Sequence, residues 1–274
     1  MADETRIEWT DRTFNPWTGC TKISPGCDHC YAESWSKRSG HVVWGNNPRK
    51  RTTDAYWKAP HAWQAQAQKF QLESGRRQRV FCASLADVFD NKVNSDWRVD
   101  LFKLIRNTPD LDWQLLTKRP QNILNMLPDD WGDSGYHNVW LGFTAEDQIR
   151  FDQRKKYIQK IPARVWFVSY EPAIGALRIK PSDPTPGWII IGGESGGGAR
   201  PMSPEWVTDI MADCASLEIA PFFKQWGNYA NNPLTGQPTM SRQDQKDMDP
   251  YGKGGGLVGG RLVREFPIRK NMTA

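Results

Sequence analysis

Three of the chain's five cysteines, Cys20, Cys27 and Cys30, crowd into eleven residues with the spacing C-x6-C-x2-C. Pro25 and Gly26 let the intervening segment turn back, so that three thiolates can face one point. Cys82 and Cys214 stand alone. The odd count, in a chain whose start (Met-Ala-Asp-Glu-Thr) is neither basic nor apolar, argues against a disulfide framework and for metal binding in a reducing compartment, the cytoplasm. Thiolates are soft ligands that suit zinc and iron–sulfur centres. Structural zinc wants four ligands, and His29, lying between two of the cysteines, makes an awkward fourth. His41, Cys82 or Cys214 would have to supply it from a distance. A four-iron cluster on three cysteines leaves one iron open to bind a small molecule, and three cysteines in one loop fit that better. Zinc stays as the alternative.

The elements that must position this loop are legible as short apolar runs. Residues 13–17, 79–83, 112–116, 138–143, 164–168, 187–191 and 220–224 are such runs, the first of them weak. Runs of this length, apolar throughout, suit strands buried on both faces of a parallel sheet. Helical patterns fall between them at 95–106, 120–126, 147–158 and 203–216, with Ser95 and Ser203 placed as N-caps and Pro204 in a first turn. The alternation predicts an α/β fold, an open barrel or a doubly wound sheet, with functional groups at the C-terminal strand ends. Those ends are polar. They carry Ser84 and Asp87, Lys118 and Arg119, Thr144 and Glu146, Glu171, Glu194 with Arg200, and Lys224 with Trp226. Residues 228–260, rich in Gly, Asn, Gln and Asp, read as a loop or lid, and 261–268 as an edge strand. The division expected is 1–227 for the strand–helix body and 228–274 for a C-terminal extension on it.

The net charge is +5, with an isoelectric point near 8.9. Between Lys37 and Lys58 the basic residues interleave with His41, Trp44, Tyr56 and Trp57, and Trp35 and Trp63 flank them. Cations neutralise phosphates and flat rings stack on bases, so this mixture suits a nucleic-acid partner. The longest apolar stretch, around 188–191, is far too short to span a bilayer, so no membrane partner is expected.

The wording W-T-G-C-T-K-I-S-P-G-C-D-H-C-Y-A-E (17–33), followed by L-T-K-R-P (116–120), V-W-L-G (139–142), S-Y-E-P (169–172), G-G-E-S-G (192–196) and F-K-Q-W-G (223–227), resembles the radical S-adenosylmethionine enzymes, in a phage-associated branch. The resemblance spans about residues 7–227. It departs from the usual C-x3-C-x2-C spacing in the longer first gap, and lacks the usual Gly-Gly-Glu after the second strand.

The resemblance implies a partial (β/α)6 TIM-like barrel with a C-terminal extension, and a 4Fe-4S cluster on Cys20, Cys27 and Cys30. It implies S-adenosylmethionine as cofactor, cleaved reductively to a 5′-deoxyadenosyl radical with electrons from a donor such as a flavodoxin or ferredoxin. On this pattern His29, Tyr31, Ser84, Asp87, Lys118, Thr144, Glu146 and Glu171 are expected around the cofactor. Arg119, Glu194, Arg200, Lys224 and Trp226 are expected toward the substrate. The implied reaction is modification or isomerisation of a nucleobase in phage DNA, as in thymine hypermodification. The alternatives are a zinc-stabilised nucleic-acid-binding protein without catalysis, and radical chemistry on a small molecule or peptide.

Overall fold

Six of the seven apolar runs lie on strands, and the first is split between two. The computed structural model describes residues 5–40 and 44–267. The chain divides into two units, Met1–Phe143 with Lys156–Arg164, and Thr144–Lys155 with Val165–Ala274. Along the first run β1 (Arg12–Thr13), β2 (Trp17–Thr18), α1 (Tyr31–Arg38), β3 (Lys50–Arg51), α2 (Asp54–Trp57), α3 (Ala59–Ser74), β4 (Gln78–Cys82), α4 (Ser95–Arg106), β5 (Leu111–Thr117), α5 (Pro120–Met126) and β6 (Val139–Thr144). Then follow α6 (Gln148–Ile158), β7 (Val165–Ala173), β8 (Trp188–Gly193), α7 (Pro204–Leu217), β9 (Ala220–Gln225), α8 (Arg242–Met248), β10 (Leu257–Val258) and β11 (Arg261–Leu262).

In the first unit β1, β4, β5 and β6 pair in parallel in that order. Every residue of β4 and β6 is buried, as continuous apolar runs require of strands covered on both faces. The expected first strand, 13–17, is instead split. Phe14 still donates to the Phe81 carbonyl at 2.9 Å, but Pro16 has no N–H for a ladder, and Trp17–Thr18 pair antiparallel with β3. The core gathers on Phe14, whose ring meets Tyr56 at 5.2 Å, Trp57 at 5.6 Å, Trp113 at 5.7 Å and Trp63 at 6.5 Å. Trp57 and Trp63 are buried there, so these two rings are core and are withdrawn from any base-stacking role.

α3 escaped the sequence pattern because its apolar face is thin. Only Pro60, Trp63 and Ala67 are buried, and Pro60 in the first turn and Gly75 at φ 70° mark its ends. For α4 the cap is Asn94, not Ser95: the Asn94 side chain accepts from the Asp96 N–H at 2.8 Å.

In the second unit β7, β8 and β9 are parallel, with register shifts near the ends of both pairings. Trp188 anchors this core against Phe167, Phe222 and Phe266. The 261–268 segment does run beside β9: Phe223 N–H donates to Val263 O at 2.8 Å and Glu265 N–H to Pro221 O at 2.9 Å, with Ile268 outside the described residues. The expected loop 228–260 holds structure of its own. A Ser241–Asp244 capping box opens α8. Asp249, with no exposed surface, accepts from Asn232 Nδ2, Gly256 N and Leu257 N, each at 2.9 Å. No helix among the described residues is long and apolar enough to cross a membrane.

Three donors, two of them buried, depend on one carboxylate, so Asp249→Ala is expected to cost about 3 kcal/mol. Urea unfolding measures it. A loss below about 1 kcal/mol would mean that those donors find other partners.

Candidate metal centre and strand-end groups

The cysteine loop is fastened to the ends of β4 and β5. Gly19 N–H donates to Leu85 O at 3.0 Å, and Gly19 bridges Ala86 in parallel. Asn15 holds the next turn through Leu85 N at 2.8 Å and exchanges hydrogen bonds with the Ser84 hydroxyl. Beneath the loop lies a buried charge network. Asp87 accepts from the Thr117 hydroxyl at 2.7 Å, the Lys118 N–H at 3.2 Å and Arg119 Nη1 at 2.9 Å. Arg49 grips Asp90 through Nε at 2.8 Å and Nη2 at 2.6 Å, and Arg98 donates to the Asp90 carbonyl at 3.1 Å. Two arginines then reach the residue after Cys20: Arg119 Nη2 donates to Thr21 O at 2.8 Å and Arg49 Nη2 to the Thr21 hydroxyl at 2.6 Å.

Arg119 Nη1 also lies 3.5 Å from Cys20 Sγ. Burial first, and then the Asp87 carboxylate, push the Cys20 thiol up to about 11, with Arg119 pulling the other way. In the metal-free protein Cys20 is therefore a neutral thiol, and a metal taking it as thiolate must release a proton. Burial works against the Arg119 charge, but Asp87 foremost, with Cys20 and Asp90, raises its affinity for the proton overall.

Cys27 ends a short 3-10 turn over Pro25–Cys27, its Sγ 3.7 Å from the Ser24 hydroxyl, and Cys30 caps α1. Lys22 closes the loop, donating to Asp28 O at 3.1 Å and pairing with Glu33 at 2.9 Å. Among the described residues no three His, Cys, Asp or Glu side chains converge as a ready ligand set. The donors still suit an iron–sulfur centre chemically: three free thiols on one loop, with a guanidinium beside one sulfur. Of the distant candidates for a fourth zinc ligand, Cys82 is buried in β4, Cys214 is buried in α7 and His41 lies outside the described residues.

The other expected groups fall into separate pairs. His29 is exposed, and the Tyr31 hydroxyl donates to Ser84 O at 2.7 Å. Lys118 is half-buried. In the second unit Glu146 has no exposed surface and takes Arg154 Nη1 at 2.6 Å, which also donates to Thr144 O at 2.7 Å. Glu171 pairs with Lys224, both only partly buried, and Gly192 packs so closely that an added Cβ would lie 3.4 Å from the Glu171 carboxyl carbon. Glu194 receives the Arg200 N–H and Nε at 2.9 Å and its Nη2 at 2.5 Å. Trp226 is buried against Phe223, its indole N–H donating to Leu257 O at 2.9 Å. At Gly193 a Cβ would come within 2.2 Å of the Trp226 carbonyl, so the Gly-Gly pair serves close packing of β8 on the chain after β9.

Sequence reasoning missed Arg49, Asp90, Arg98 and Arg154. The Asp87-x-x-Asp90 spacing in a turn was the available signal, but its basic partners come from elsewhere in the chain.

Glu146→Ala would leave Arg154 buried without its carboxylate, and is expected to cost about 3–5 kcal/mol in chemical unfolding. A fully stable variant whose only defect is weaker S-adenosylmethionine binding would instead make Glu146 a cofactor ligand.

No curated protein matches this sequence. A solved structure of a spore photoproduct lyase variant, with bound AdoMet and dinucleoside spore photoproduct, is similar at 12% identity and a TM-score of 0.44. The likeness covers 79% of this chain and 64% of that one, so this chain spans less than two thirds of that protein's length. The family model described as "Protein of unknown function (DUF5131)" matches residues 4–267, nearly the whole length, and the chain belongs to the DUF5131 family.

Proposed function

We propose that this protein is a radical S-adenosylmethionine enzyme that modifies a nucleobase in DNA, by an isomerase- or lyase-type reaction. The observation that carries the proposal is the seating of the cysteine loop. Cys20 stands beside Arg119 at the C-terminal ends of two parallel strands, where α/β folds keep their functional groups. Cys20, Cys27 and Cys30 would hold a 4Fe-4S cluster. When bound, such a cluster supplies the electron that splits S-adenosylmethionine into methionine and a 5′-deoxyadenosyl radical.

The chain's own contribution is to bind and orient. The Thr21 clamp fixes the first ligand, and Lys22 ties the loop to α1. In the second unit the partly exposed Glu171–Lys224 pair and the Glu194–Arg200 fork are proposed as polar binding groups. The partial barrel of this superfamily is the fold that goes with the proposal, and a small flavodoxin- or ferredoxin-like donor is its electron source.

Nucleic acid as substrate is supported by α1, which begins directly after Cys30. Tyr31 and Trp35 are 59% and 38% exposed, and their i, i+4 spacing puts them on one helix face, with Lys37 and Arg38 following. Exposed rings backed by cations suit bases and phosphates together.

Anaerobically purified protein is expected to be coloured and to contain iron and sulfide, and Cys27→Ala to lose both along with reductive cleavage of S-adenosylmethionine. A colourless, zinc-only protein would sink the proposal in favour of a zinc-stabilised binding protein.

Single-stranded DNA is expected to bind more weakly as salt rises, and Trp35→Ala to weaken it about tenfold, in line with about 1–3 kcal/mol for a ring stacked on a base. Fluorescence anisotropy measures both. Absence of binding at low salt would point to a small-molecule or peptide substrate.

A further inference from the structure

We propose that Arg119 is a positioning residue for the metal centre, one that presents a fixed positive charge and an N–H donor to the Cys20 sulfur and so raises the centre's reduction potential. The inference rests on the cluster reading above and gives this arginine its part in it: its place is at the sulfur, under the loop.

The guanidinium has no freedom to leave. Nη1 lies between Asp87 Oδ2 at 2.9 Å and Cys20 Sγ at 3.5 Å, Nη2 donates to Thr21 O at 2.8 Å, and Nε faces Asp90 Oδ1 at 4.0 Å. All three nitrogens are directed, and the residue is only 6% exposed. A planar fork meets these acceptors at once, whereas a lysine ammonium is a single point charge on a flexible stem. The charges around it explain why a cation is kept so close to a thiol. Arg119 and Arg49 each hold a carboxylate, Asp87 and Asp90, while Arg98 donates to the backbone carbonyls of Val88 and Asp90. A metal-bound thiolate at Cys20 would give Arg119 Nη1 a second anionic partner beside Asp87.

The consequence is electrochemical. Reduction adds one electron, taken from the external donor, and its negative charge spreads onto the ligating sulfurs. Donors and cations at those sulfurs stabilise the reduced form and raise the potential. With water largely excluded around Arg119, its charge acts with little screening.

The test compares wild type, Arg119→Met, Arg119→Lys and Arg49→Lys after anaerobic reconstitution. Iron and sulfide per chain are measured first, then the midpoint potential by redox titration read by electron paramagnetic resonance. Arg119→Met is expected to load like the wild type and to titrate at a more negative potential, with Arg119→Lys between the two. Arg49→Lys perturbs the same loop through its bond to the Thr21 hydroxyl, and its potential is expected to match the wild type. Should Arg119→Met fail to fold, the lysine variant decides alone. Loaded Arg119 variants with an unmoved potential would overturn this inference and leave the cluster intact. A shift as large in Arg49→Lys would overturn it too, by showing only a loosened loop. A wild-type protein that takes up no iron would remove the proposed function itself, and this inference with it.

Discussion

The buried contact of Arg119 with Asp87 is the constraint on which the first unit's site depends. Burying two charges costs several kcal/mol each, returned only when geometry is good and the remaining donors and acceptors are filled. Here they are filled by the chemistry itself. Asp87 collects the Thr117 hydroxyl and the Lys118 N–H from the end of β5, and Arg119 spends its remaining donors on Thr21 and Cys20. The pair thus joins three pieces of chain far apart in sequence: the cysteine loop, the turn after β4 and the end of β5. An apolar substitute of the same volume would pack, but would not tell the loop where to lie. Asp90 repeats the device with Arg49, so Thr21 is pinned through its carbonyl by Arg119 and through its hydroxyl by Arg49.

The same rule sorts the acidic groups at the strand ends of the second unit. Glu146, Glu194 and Glu171 each have a basic partner, Arg154, Arg200 and Lys224. What separates them is access to water. Glu146 is sealed with Arg154, so any ligand reaching it would first have to break a desolvated pair. Glu171 and Lys224 keep 21% and 24% of their side-chain surface, so exchanging one partner for a ligand costs far less. A polar strand end is therefore a weak sign of binding by itself, and partial exposure of an already satisfied pair is a better one.

The strands were legible because their signal is local. A run such as Trp188–Gly193 is apolar on both faces and buried on both faces, and no distant residue is needed to read it. The failures share the opposite character. The first run breaks at Pro16 because a partner at β3, far along the chain, captures Trp17 and Thr18. Aromatic rings among basic residues read as a stacking surface, yet Trp57 and Trp63 are drawn inward by Phe14. The loop after Trp226 reads as excursion because Gly and Asn are common there, while its order comes from one aspartate whose acceptors meet donors 7 to 17 residues away. At the site, the cysteines and the polar strand ends were visible in the sequence, but their pairing was not. Nothing in the spacing of Arg119 shows whether it faces a ligand or a carboxylate.

The six-residue gap between Cys20 and Cys27 acquires a physical meaning from these contacts. Its first part belongs to the sheet: Gly19 on Leu85, and Thr21 under two arginines. Its later part belongs to α1, through the turn at Pro25–Cys27 and the Lys22 bridge to Glu33. Cys20 is thus fixed by buried charges, while the contacts around Cys27 and Cys30 include a short turn, the Tyr31 hydroxyl on Ser84 O and an ion pair whose lysine is 43% exposed. Exposed pairs contribute little to stability, so the Lys22–Glu33 bridge adds little to holding this half. Cys20, with Arg119 beside its sulfur, is the member of the three that the buried charges hold directly.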